Sequence, residues 1–144
     1  MNKKEFIQTL RSNRIIKGNR PAYITLRKNY GNIYKGKKSD FILSIRKNEL
    51  FFQKVTLFKG LRPKDDFTLN ISDFVHFKFI AYNILFNSLC LYDKDRNFIE
   101  IHYETKRKDS YETEVNMDDI VKRLAEAGLT VLKDSEDDYE ESND

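Results

Sequence analysis

Few residues in this chain could do chemistry. One cysteine, Cys90, and two histidines, His76 and His102, fall short of a zinc-binding set. A Cys–His nucleophile pair needs an imidazole beside Cys90 and a third group to orient it. Cys90 and His102 can face each other across a hairpin, but only the register decides whether they do. In the apolar run "ILFNSLCLY", Cys90 reads as a small buried hydrophobe. The string "DKDRN" puts Asp93, Asp95 and Asn97 at the first, third and fifth positions of a calcium loop, with Glu104 at the twelfth. Phe98 stands where that loop needs glycine, and the following residues alternate as a strand, so a polar hairpin turn is expected instead. Glu104 and Lys106 in "HYETK", with Asp93 upstream, have the composition of a metal-dependent nuclease site. Such an E-x-K string arises readily in a chain that is 34% charged. The expectation from these residues is no enzyme, no metal and no cofactor.

What remains is charge. The stretch "RKNYGNIYKGKKS" carries Arg27, Lys28, Lys35, Lys37 and Lys38 with Tyr30 and Tyr34 between them, and its first acid comes only at Asp40. Glycines at 31 and 36 would let backbone approach an anion closely. The whole chain carries a formal net charge of only +3, but residues 1–62 sum to +13 and residues 63–144 to −10. Such a split points to an anionic partner or an acidic tail.

The elements that position this stretch are legible from periodicity. Phe6, Ile7 and Leu10 recur at helical spacing, predicting a short amphipathic helix over 3–12 with a basic opposite face. "PAYITLR" alternates as a strand opening at Pro21. "FILSIRKNELFFQKVTLF" reads as a hairpin turning at Lys47–Asn48, with Asn48 suited to positive φ. "FTLNISDFVHFKF" pauses at Ser72–Asp73 and resumes with Val75, Phe77 and Phe79 on one face. "ILFNSLCLY" and "FIEIHYE" form a second hairpin around "DKDRN". "YETEV" is expected as a last short strand. "NMDDIVKRLAEAG" is expected as a helix capped by Asn116, striped by Ile120, Val121 and Leu124, and stopped at Gly128.

The size and aromatic content, 144 residues with eleven Phe, eight Tyr and no Trp, suit one strand-rich core. The expected division is a helix and linker at 1–19, one domain at 20–132 and a disordered acidic tail at 133–144, whose last eleven residues hold seven acids. "MNKKEFIQTLRSNR" lacks the apolar core of a secretory signal, and no run reaches the ~20 apolar residues of a membrane span. A cytoplasmic location is the expectation.

The order of these elements resembles the bacterial pleckstrin-homology-like and GRAM-like domains. A hairpin of the type of "FILSIRKNELFF" leads to a Ser-Asp-hydrophobic step, here "NISDF", and then through "LCLYDKDRNFIEIHYET" to a closing helix. The resemblance spans roughly residues 20–128. It implies a mainly β fold, a partly open antiparallel seven-stranded barrel with a C-terminal capping helix, to which this chain adds its N-terminal helix. It also implies a non-enzymatic binding module whose loop between the first two strands presents cations to lipid head groups. The anion site so implied is Arg27, Lys28, Tyr30, Tyr34, Lys35, Lys37 and Lys38, with Arg46 at the loop's edge. In that case the module sits peripherally on a membrane. A protein partner bound at a sheet edge or groove is the alternative, and nucleic acid stacked on Tyr30 and Tyr34 is the next.

Overall fold

Strands dominate the chain, as the alternation of its apolar residues requires. A computed structural model describes residues 3–31, 33–56, 60–81, 83–105 and 111–132, apart from the side chains of Lys28 and Tyr111. Helix α1 (Lys3–Ser12) is followed by β1 (Asn19–Tyr30), β2 (Ser39–Arg46), β3 (Glu49–Lys54), β4 (Phe67–Asn70), β5 (His76–Ala81), β6 (Phe86–Tyr92) and β7 (Phe98–Glu104). Helix α2 (Tyr111–Glu126) and the two-residue β8 (Thr130–Val131) complete the order. The strands form one sheet, β4-β3-β2-β1-β7-β6-β5-β8. It is open, because its edges β4 and β8 do not pair with each other. Seven of its strands are antiparallel neighbours, and β8 adds to β5 in parallel. The acidic tail expected at 133–144 lies outside the described residues.

The inner face of the sheet and α2 share one core. Ile24, Leu26, Phe41, Leu43, Phe52, Leu89, Leu91, Ile99 and Ile101 meet Met117, Ile120 and Leu124 of the helix. Fully burying each such side chain contributes about 1.5–3 kcal/mol. On the outer face, α1 lays Phe6, Ile7 and Leu10 on Tyr23, Ile42 and Val55. This second cluster is why β2 is buried on both faces rather than alternating.

The β2–β3 hairpin pairs Arg46 with Glu49 across a two-residue turn, as expected. The positive φ of 55° belongs to Lys47, not Asn48. The residue that turns the chain is thus the first of the pair. On β5 only Phe77 is buried; Phe79 is 45% exposed, and Val75, just before the strand, is 38% exposed.

One element differs in kind. "YETEV" is not a strand but the first turns of α2, and Asn116 lies inside the helix rather than capping it. Thr113, Met117, Ile120 and Leu124 are all buried, and their spacing of four, three and four residues puts them on one helical face. That stripe outweighs the local β preference of Thr113 and Val115. The two polar residues also serve β1, whose pairing with β2 shifts between Asn19 and Ala22. Thr113 Oγ1 accepts the Tyr23 N–H at 3.0 Å, and Asn116 Nδ2 donates to the Pro21 carbonyl at 2.8 Å. At the other end Gly128 takes φ 106° while Leu129 N–H returns to the Leu124 carbonyl at 3.1 Å, closing the helix as its glycine predicts.

Candidate anion-contact site

Two connections meet at one end of the sheet. Gly31, at φ 94°, brings the β1–β2 loop against the β6–β7 turn so closely that a β-carbon there would overlap the Asn97 side chain. The loop is then pinned. Asn29 clasps the backbone of Tyr34, its Oδ1 accepting the Tyr34 N–H at 3.3 Å and its Nδ2 donating to the Tyr34 carbonyl. The Tyr34 ring stacks on Phe67 at 4.9 Å and meets Phe41 edge-on at 6.0 Å. Its hydroxyl donates to the Lys37 carbonyl at 3.0 Å, as does Ser39 Oγ. Gly36 passes under the Tyr34 hydroxyl, where any side chain would collide.

On this frame Lys35, Lys37 and Lys38 are exposed, and none has an ion pair among the described residues. In the adjoining turn Lys94 and Arg96 are likewise exposed and unpaired among the described residues. Sequence reasoning missed these two, because "DKDRN" draws attention to its acids. The acid that matters there is turned inward: Asp93 Oδ1 accepts the N–H groups of Asp95 and Asn97 at 2.8 and 2.9 Å, and Oδ2 accepts Asn97 Nδ2 at 3.0 Å. Burial opposes ionisation of this carboxyl, but those hydrogen bonds and nearby Lys94 hold its pKa below the usual range. Its oxygens shape a turn with Arg96 at φ 66°. A cleft of about 320 Å³ opens beside it, lined by Ile33, Leu69, Asp73, Phe74, Asp93 and Asn97. Among the described residues no cation lines that cleft, so Lys35, Lys37, Lys38, Lys94 and Arg96 lie outside it.

The remaining expected site residues separate. Arg27 lies on β1 at the pairing shift between Leu26 and Lys28, and its charge reaches His102. The Lys28 side chain is outside the described residues. Tyr30 is 64% exposed and stacks on Phe98 at 6.0 Å and 17°, and Phe98 in turn meets Tyr92 at 5.3 Å. Tyr34 is a packing residue rather than a free ring. Arg46 is not brought to the loop: it ends the eight-residue β2, about 23 Å along the strand from Ser39 at ~3.3 Å per residue. There it pairs with Glu49 at 3.6 Å and lies over the Phe51 ring at 4.8 Å.

Register also settles the other candidate chemistry. Cys90 is opposite Glu100, and His102 is opposite Ser88. Ser88 Oγ donates to Glu100 Oε2 at 2.7 Å and lies 3.0 Å from His102 Nδ1, which with that hydroxyl proton committed acts as donor. Phe86 stacks on the imidazole at 5.0 Å. Burial foremost, then the positive charge of Arg27, Lys38 and Lys3, depresses the His102 pKa against the pull of Glu100. Ser88 is fully buried, so this network holds strands together and offers no nucleophile. His76 Nδ1 bonds Thr130 Oγ1 at 2.8 Å, and Glu104 pairs with Lys3 at 3.2 Å. Lys106 lies outside the described residues.

No protein-family model matches the chain, and no curated protein does. Among solved structures it is similar to the hSac2 domain from human phosphoinositide phosphatase Sac2, at 8% identity over 92% of this chain and 90% of that one, with a TM-score of 0.46. No helix among the described residues is long and apolar enough to cross a membrane.

Proposed function

We propose that the chain is a non-enzymatic, pleckstrin-homology-like binding module whose loop cations contact the phosphates of an anionic partner, whether lipid head groups on a membrane or another polyanion. The observation that carries this reading is the set Lys35, Lys37, Lys38, Lys94 and Arg96. These are exposed cations without ion pairs among the described residues, on two connections held in contact at Gly31 and Asn97. Because Tyr34 already fixes the loop, less side-chain and backbone freedom is lost on binding. Each cation near an anionic bilayer is worth about 1 kcal/mol, so the set supplies roughly 3–5 kcal/mol, all of it salt-sensitive. Co-sedimentation with phosphatidylserine vesicles and with neutral vesicles, at low and high salt, tests the reading. Binding is expected only to the anionic vesicles at low salt, lost in Lys35→Glu/Lys37→Glu/Lys38→Glu and kept in Arg46→Glu. Binding indifferent to the triple change rejects the loop as the contact, and no binding at low salt rejects the bilayer as its partner.

A second reading, a protein partner added as a strand, has its own observation. Beyond Phe77 the edge of β5 has no partner strand among the described residues, and Val75, Phe79 and Val131 are exposed beside it. A pull-down without an enriched partner, together with monomeric elution, rejects that reading.

A further inference from the structure

The loop cations explain how a phosphate is held but leave Tyr30 unused. Three strands contribute one aromatic residue each to a single row on the outer face of the sheet, since Tyr30 pairs with Phe98 and Phe98 with Tyr92. The rings continue one another, Tyr30 lying nearly parallel to Phe98. Tyr30 ends the row. Phe98 covers one of its faces, and the ring is 64% exposed where the β1–β2 loop begins. A tyrosine ring on a sheet, with one face open and lysines a few residues away, offers what a nucleobase needs: a surface to stack on and cations for the adjoining phosphates.

A bilayer fits this row less well. An interfacial anchor works from the tip of a loop, yet the apolar residue of this loop, Ile33, is turned inward against the core. The exposed ring lies at the base of the loop on the sheet face. Of the acids nearby, Glu100 is buried and accepts from Ser88, Asp40 accepts from Tyr23 and Thr25, and Asp93 accepts from Asp95 and Asn97, while Asp95 is exposed in the turn beside Lys94 and Arg96.

We infer that Tyr30 is the stacking platform for an unpaired base of a single-stranded nucleic acid whose phosphates lie along Lys35, Lys37 and Lys38, continuing the Tyr92–Phe98–Tyr30 row by one ring. The inference rests on the reading that these lysines contact phosphate, and adds the class of molecule that brings it.

The test compares two polyanions on the full chain: a fluorescein-labelled oligouridylate, and inorganic polyphosphate of equal phosphate number as competitor. Tyr30→Ala is expected to weaken the oligonucleotide by roughly 5- to 150-fold, the usual range for one base–aromatic stack, and to leave polyphosphate unchanged. Tyr30→Phe keeps the ring and is expected to bind as the parent does, which separates a lost ring from a lost fold. Because the chain has no Trp, Tyr30→Trp introduces a single indole whose fluorescence should be quenched by the oligonucleotide and not by polyphosphate. Polyphosphate binding with no advantage for the oligonucleotide, or Tyr30→Ala weakening both ligands equally, overturns the inference while the loop reading stands. Binding to phosphatidylserine vesicles alone overturns it in favour of a bilayer. Binding to none of the three ends both readings.

Discussion

Replacing Tyr34 separates two roles that its sequence context confounds, contact with a ligand and construction of the loop that would hold one. The ring is the outer member of a stack: Tyr34 on Phe67 at 4.9 Å and Phe67 on Phe52 at 4.6 Å, with Phe41 edge-on to all three. Truncating a fully buried aromatic costs about 3–5 kcal/mol. Tyr34 is half-buried, so Tyr34→Ala should cost about 2–3 kcal/mol, including ~0.5–1.5 kcal/mol from the ring pairs themselves. For a chain of this size that lowers Tm by about 4–12 °C. Tyr34→Phe keeps the stack and loses only the half-exposed bond to the Lys37 carbonyl, about 0.5 kcal/mol.

The two variants should also differ in binding. Neither changes the charge, but in Tyr34→Ala the loop must be ordered when the ligand arrives, at about 0.5–1.5 kcal/mol per immobilised side chain. Polyphosphate affinity should therefore fall about tenfold in Tyr34→Ala and hardly at all in Tyr34→Phe. Urea unfolding followed by circular dichroism, alongside a polyphosphate titration, measures both. A Tyr34→Ala protein with an unchanged midpoint would show that the ring does not anchor the loop. A Tyr34→Phe protein of full stability that binds as poorly as Tyr34→Ala would show the hydroxyl touching the ligand, and the anchoring argument would fail.

Two further outcomes are expected. Ser44 Oγ is buried with no hydrogen-bond partner among the described residues, so Ser44→Ala should raise stability by about 0.5–1 kcal/mol in the same urea assay, and a loss of more than about 1 kcal/mol would reveal a partner. Burial first, and then Asp118 and Glu114, push the Tyr103 phenol up to about 12 against the lowering effect of its bond to Asn87. The fold therefore favours the neutral phenol, giving stability that is complete below about pH 10 and lost as pH rises through 12. Tyr103→Phe should flatten the fall in urea midpoint across that window, and an unchanged slope would remove Tyr103 as its source.

Much of the fold was legible because it depends on period alone. Phe6, Ile7 and Leu10 define α1, the run around Lys47–Asn48 defines a hairpin, and Gly128 ends a helix. What was not legible depended on partners distant in sequence. Thr113 reads as a strand residue until β1 supplies a free Tyr23 N–H for its hydroxyl, 90 residues away. Val75 and Phe79 read as core because they alternate with Phe77, yet Phe77 alone of the three is buried, and Val75 stays exposed although its carbonyl accepts the Thr130 N–H. Each case is tertiary context overriding a local preference that was correctly read.

The site shows the same division more sharply, in two tyrosines four residues apart. Tyr23 and Thr25 of β1 face outward while Ile24 and Leu26 face the core. Strict alternation from there would send Tyr30 inward and Asn29 outward. The pairing of β1 with β7 shifts between Leu26 and Lys28, and beyond it Asn29 lies opposite core residue Ile99 while Tyr30 lies opposite outward-facing Phe98. A one-residue irregularity exchanges the faces of everything after it. It exposes Tyr30 in line with Phe98 and Tyr92, and in the same step turns Asn29 toward the loop, where it clasps Tyr34. Composition could count the cations and rings of residues 27–39, but this single shift decides which ring is offered to a partner and which one builds the loop.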